Sequence, residues 1–79
     1  MRQGERRILF WVLLSRDGRH AWSGRTAPGS LPIENMTPLD DGLDKDRVRF
    51  YPSKEHATVA AEGLRKRHLI VQVTPARLG

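Results

Sequence analysis

Cysteine is absent from this chain of 79 residues, so no disulfide staples it, and a chain this short buries a smaller share of its surface than a larger domain does. Histidine occurs three times, at His20, His56 and His68, without the spacing of a ligand set. No metal centre and no cofactor is therefore expected. Stability must come from apolar packing or from association with another chain. Long apolar runs are also missing. The longest, Ile8 to Leu14, is far short of the roughly 20 residues a bilayer span needs. Although Arg2, Arg6 and Arg7 precede it, the run ends in Ser15-Arg16-Asp17-Gly18 without the small residues of a signal-peptide cleavage site. A cytoplasmic protein with no membrane partner is expected, in keeping with the lack of cysteine.

Catalytic signatures are lacking as well. There is no Gly-x-Ser-x-Gly, no phosphate loop and no dinucleotide fingerprint. The run Asp40-Asp41-Gly42-Leu43-Asp44-Lys45-Asp46 fails as a calcium loop, which needs Gly at its sixth position and Glu at its twelfth. Ser53 reads better as a helix cap than as a nucleophile. With little room for a deep pocket in so short a chain, we expect a binding protein and not an enzyme.

What the chain has is basic charge, a net +5 that is unevenly spread. Residues 1–30 carry six Arg against Glu5 and Asp17, a balance of +4. Residues 31–46 carry Glu34, Asp40, Asp41, Asp44 and Asp46 against Lys45, a balance of −4. Residues 47–79 return to +5. Such a balance favours nucleic acid or an acidic protein surface as partner, through attraction that salt weakens. Arginine makes up eleven of the fourteen basic residues, and its planar fork suits phosphate and carboxylate.

The hydrophobic pattern sets the order of elements. Arg7 to Ser15 reads as a strand apolar on both faces, too short for a typical helix. Asp17-Gly18 is a two-residue hairpin signal, leading into a partner strand from Arg19 to Ser23 with His20 and Trp22 on one face. Residues 24–46 hold three of the prolines and three glycines with no sustained period, a long irregular segment. Alternation at Arg47 to Tyr51 predicts a half-buried strand with Val48 and Phe50 inward. A helix follows, capped by Ser53 with Glu55 in its first turn. Its buried face is Ala57, Ala60, Ala61 and Leu64. Leu69 to Thr74 is the last strand, ended by Pro75.

These elements predict one small α+β domain over residues 1–79, with residues 1–6 flexible. A small mixed sheet would be built from an N-terminal hairpin and a C-terminal β-α-β unit, with one helix on one face and a long central loop. One helix covers one face only. The first strand is apolar on both, and each large side chain left exposed forgoes roughly 1.5–3 kcal/mol. Either the central loop folds back with Leu31, Ile33, Met36 and Leu39, or a second chain supplies the cover, and a homodimer is one form of the latter.

The leading expectation is thus a small non-enzymatic protein that modulates a protein partner by direct contact; accessory proteins of phages or mobile elements are one setting for such a chain. The alternative is a nucleic-acid-binding module. It would use Arg for phosphate and Trp for base stacking, though no known nucleic-acid module matches the element order. Candidate partner-binding residues are Trp11, Arg16, Arg19, His20, Trp22, Arg25, Arg47 and Arg49.

Overall fold

A computed structural model describes residues 9–40 and 42–77, apart from the side chain of Arg77; what was expected of residues 1–6 lies outside them. Four strands, β1 (Leu9–Leu14), β2 (His20–Trp22), β3 (Met36–Pro38) and β4 (Gln72–Arg77), form one sheet in the order β3-β2-β1-β4. A single helix, α1 (Lys54–Lys66), packs against it. The fold is α+β, as the sequence pattern implies. Every ladder between named strands is antiparallel.

The hairpin at Asp17-Gly18 forms, but not with the two-residue turn expected. A type I′ turn needs positive φ at both central residues, and here Gly18 has it (φ 74) while Asp17 does not. Residues 16–19 make a longer loop instead, closed by Ser15 N–H to His20 O at 2.9 Å. Asp17 organises it from within. Its Oδ1 accepts from the Ser15 hydroxyl at 2.6 Å and from Arg19 N–H at 2.9 Å. The Ser15 hydroxyl donates the first of these bonds and holds the Asp17 carboxyl below its usual range, with the Arg19 amide second.

Beyond the loop the two strands part. The ladder between β1 and β2 registers Leu14 opposite Ala21, and β2 then leaves β1. Into the gap comes the main chain of residues 49–51. Trp11 and Tyr51 exchange both hydrogen bonds, at 2.9 and 2.8 Å, and Arg49 N–H donates to Trp22 O at 2.9 Å. Gly24 lies at this divergence with φ 79, and a Cβ there would stand 3.0 Å from the Cβ of Arg49. The sequence predicted a strand over Arg47 to Tyr51. The alternation is real, since Val48 and Phe50 pack on one side and Tyr51 on the other. Pairing is limited to a bridge at Tyr51, because β2 already occupies the neighbouring position along β1.

The central segment is largely irregular, but it carries a short 3-10 helix (Pro32–Asn35) and the edge strand β3. Pro75 does not end the last strand; it lies inside β4, opposite Trp11. Trp11 directs its N–H and C=O at Tyr51, so Pro75 belongs to a pair with no ladder bond and its imino nitrogen faces the free edge, where a missing N–H costs nothing. Pro38 is placed likewise on β3. Leu39 N–H donates to Arg19 O and Asn35 O accepts from Ser23 N–H, the two residues that flank β2, which turns Met36 and Pro38 outward. Among the described residues both outer strands of the sheet thus carry a proline at an outward position.

Helix α1 begins as its sequence dictates, the Ser53 hydroxyl accepting from His56 N–H at 3.2 Å. Its end is a Schellman turn: Leu69 N–H donates to Leu64 O and His68 N–H to Arg65 O, both at 3.0 Å. His68 takes the left-handed conformation (φ 71) that this turn requires. Ala57 and Leu64 are buried with Leu13, Trp22 and Leu69, and Trp11, Met36, Tyr51, Val71 and Val73 flank them. Burial raises the Tyr51 pKa above its usual value.

The second face of β1 is covered by this chain's own residues, and of those the sequence pointed to only Leu39 takes part. Val48, Phe50 and Leu39 pack on Val12, Leu14, Ala21 and Ala76, with the Phe10 and Phe50 rings edge to face at 6.0 Å. Leu31 and Ile33 are each 59% exposed, and Met36 packs with the helix-side cluster. The reason lies in the wedge: once residues 49–51 enter the sheet, alternation drives Val48 and Phe50 onto the face that α1 leaves bare. Thr37 fastens this crossing by donating its hydroxyl to Arg47 O at 2.6 Å.

Candidate functional site: an open apolar groove

The two coverings are staggered. Helix α1 lies over β1 and β4, whereas Val48 and Phe50 cover the opposite face. The helix-side face of β2 and β3 is left open, and there the chain forms a groove of about 650 Å³. Ser15, His20, Met36 and Pro38 are its floor, in keeping with a register that sets His20 opposite Pro38 and Trp22 opposite Met36. Ile33 of the 3-10 helix forms one wall, and Leu69 and Ile70, just after α1, form the other. Arg16 and Asp17 close the hairpin end. Ile33 and Ile70 are 59% and 58% exposed, so two branched aliphatic side chains of the groove lining stand in water.

The residues singled out in the sequence are dispersed. Arg16 and His20 line this groove. Arg25 and Arg47 line a smaller polar hollow of about 260 Å³, in company with Glu34 and Asn35. Arg49 lies over the Tyr51 ring at 5.5 Å, and Lys54 covers Trp11 at 5.8 Å. Arg19 is exposed on the hairpin loop. Trp22 is 5% exposed and belongs to the core, which leaves it no face for a base to stack on. The hairpin therefore lacks the tryptophan platform that its composition offered.

Compared with protein-family models, with curated proteins and with solved structures, the chain matches none. Its chemistry must be read from the groove itself. Among the described residues no helix is long and apolar enough to cross a membrane, and no cluster of three His, Asp or Glu could hold a metal ion. At the hairpin end of the groove, Oδ1 of the Asp17 carboxylate accepts from Ser15 and Arg19. Sequence reasoning missed Ile70 and Ile33 as surface groups, Ile33 having been offered as part of one of two alternative covers for the second face. An isoleucine next to a helix-terminal Schellman turn was the available signal for Ile70: Leu69 fulfils the buried position there, and the next residue has no inward place to go.

Proposed function

We propose that this chain is a non-enzymatic binding protein of the cytoplasm that engages a protein partner through the open half of its helix-side face and modulates that partner by contact. The observation that carries this reading is the groove lined by Ile33, Met36, Pro38, Leu69 and Ile70, with Ser15 and His20 as the polar part of its floor. Large apolar side chains left in water on both sides of a concavity are what a docking surface offers a partner, since their burial is the main favourable term in association. An amide at each position removes the apolar wall without adding charge. The test compares wild type with an Ile33→Asn/Ile70→Asn variant in capture from the native cell, read by mass spectrometry. The reading expects a protein retained by wild type and lost by the variant; a partner held equally by both would overturn it.

A second reading, contact with nucleic-acid phosphate, draws on the pairing of Arg25 and Arg47 around one polar hollow. Glu34 in the same hollow works against it. Titration with generic DNA and RNA decides: micromolar binding with a steep salt slope, reduced by Arg25→Gln/Arg47→Gln, supports the second reading, and no binding at low salt removes it.

A further inference from the structure

We infer that Asp17–Gly18 is a latent isoaspartate site, held unreactive by the hydrogen bonds of the hairpin loop and released when they break. The sequence supplies the reactants. In an Asp-Gly pair the Gly nitrogen attacks the side-chain carboxyl carbon of Asp. A bond forms between Gly18 N and Asp17 Cγ, the Cγ–OH bond breaks, and the hydroxyl leaves with the amide proton as water. Water then adds to the Asp17 main-chain carbonyl of the succinimide and breaks its bond to Gly18 N, so the chain now runs through Cβ and Cγ. Nothing is oxidised or reduced. Glycine favours the attack because it has no Cβ to hinder its nitrogen, and both residues are exposed.

The loop ties down both reactants. Gly18 N–H donates to Ser15 O at 2.9 Å, so its proton is not free to pass to a base. Asp17 Oδ1 accepts from Arg19 N–H at 2.9 Å, which turns the carboxyl to the amide one residue beyond the nitrogen that would attack it. The Ser15 hydroxyl donates to the same oxygen at 2.6 Å while accepting from His20 N–H at 3.1 Å. These donors keep the carboxyl ionised, the Ser15 hydroxyl first and the Arg19 amide second, and a carboxylate has no hydroxyl to lose. The base of the loop is fastened to the sheet: the Gln72 side-chain amide, on β4, donates to Ser15 O and Arg16 O, both at 3.1 Å. Reaction therefore passes through transient opening, at a rate that follows the open population. Each hydrogen bond that must break lowers that population roughly 2- to 13-fold. The product carries an added main-chain atom in a loop that Ser15 N–H and His20 O close, at the end of the groove lined by Arg16 and Asp17.

The test ages the full chain at neutral pH, folded in buffer and unfolded in urea, and follows the digestion peptide that spans Ser15 to Trp22. Its isoaspartyl form has the same mass, elutes separately and resists the endoproteinase that cuts before Asp. Resolution by peptide keeps the signal apart from the second Asp-Gly of the sequence, Asp41–Gly42. The folded chain is expected to isomerise at Asp17 at least about tenfold more slowly than the unfolded one. Ser15→Ala and Gln72→Ala should each speed the folded reaction by about threefold or more, whereas Ser15→Thr, which keeps a hydroxyl, should stay near the wild-type rate. Circular dichroism checks that each variant is folded, and should Ser15→Ala not fold, Gln72→Ala and the wild-type comparison decide. A wild-type rate no slower folded than unfolded would overturn the inference. Folded Ser15→Ala and Gln72→Ala at the wild-type rate would overturn the loop bonds as the cause, and Ser15→Thr as fast as Ser15→Ala would overturn the part given to the hydroxyl.

Discussion

Replacing Val48 by Ala probes the covering of the second sheet face most directly. Val48 is 4% exposed and packs with Val12, Ala21 and Ala76, so the truncation removes two methyl groups from an enclosed site. At about 0.8 kcal/mol per buried methylene-sized group the transfer loss is about 1.6 kcal/mol. Incomplete collapse around the void raises the total to about 2 kcal/mol. Stability scales at roughly 0.05–0.15 kcal/mol per residue, so this is a large part of what so small a chain has. With a urea slope near the low end of the usual range, about 1 kcal/mol/M, the midpoint should fall by about 2 M with the slope unchanged. Ile33→Ala is the matched control. Ile33 is 59% exposed, and its truncation should cost less than about 0.5 kcal/mol. The reasoning is refuted if Val48→Ala leaves the midpoint within that same margin, or if Ile33→Ala proves the more damaging change.

Other expectations follow from the caps, the loop and the edges. His68→Gly should stabilise by about 0.5–1 kcal/mol, because the left-handed backbone costs a residue with a Cβ roughly 1–2 kcal/mol and glycine returns part of that as chain entropy; a lowered melting temperature would contradict this. Ser53→Ala removes the oxygen that accepts from His56 N–H and should cost about 1 kcal/mol in denaturant titration. The Ser15 hydroxyl and then the Arg19 amide hold the Asp17 carboxyl below its ordinary value, so its contribution is present at neutral pH and lost as the pH falls through that lowered value. Asp17→Asn should flatten the acid limb of stability against pH, and an unchanged limb would show the loop bonds to be inert. Pro75→Val restores an outward N–H to β4 and should produce concentration-dependent association in sedimentation velocity, whereas a strictly monomeric variant would deny the proline any guarding role.

The helix was fully legible because its signals are local: a serine cap, an acidic first turn, and alanines at helical spacing that let it approach the sheet closely. The hairpin was legible in place but not in loop length, since Asp17 closes the loop through its side chain and the dipeptide signal describes backbone alone. Strand β3 left no trace in the pattern. Three residues ending in proline carry no period, and they form a strand only because β2 offers them a free edge. The groove was hidden for a related reason, its lining being drawn from the hairpin, the 3-10 helix, β3 and the residues after α1. Ile33 is apolar and lies in a long segment, which is equally what a core residue looks like; its exposure depends on Val48 and Phe50 having reached the second face first. Trp22 was offered for stacking by its basic neighbours, yet its alternation with Ala21 was enough to place it beside Leu13 in the core.

The insertion of residues 49–51 beside Trp11 also bears on how this chain acquires its form. The opening hairpin cannot zip shut by itself, because the partner for its central residue lies far downstream and must be carried back past the whole irregular segment. Assembly waits on that long-range closure. For a protein of its length it should therefore fold slowly, in the manner of chains dominated by distant contacts, with α1 the one element able to form ahead of the rest.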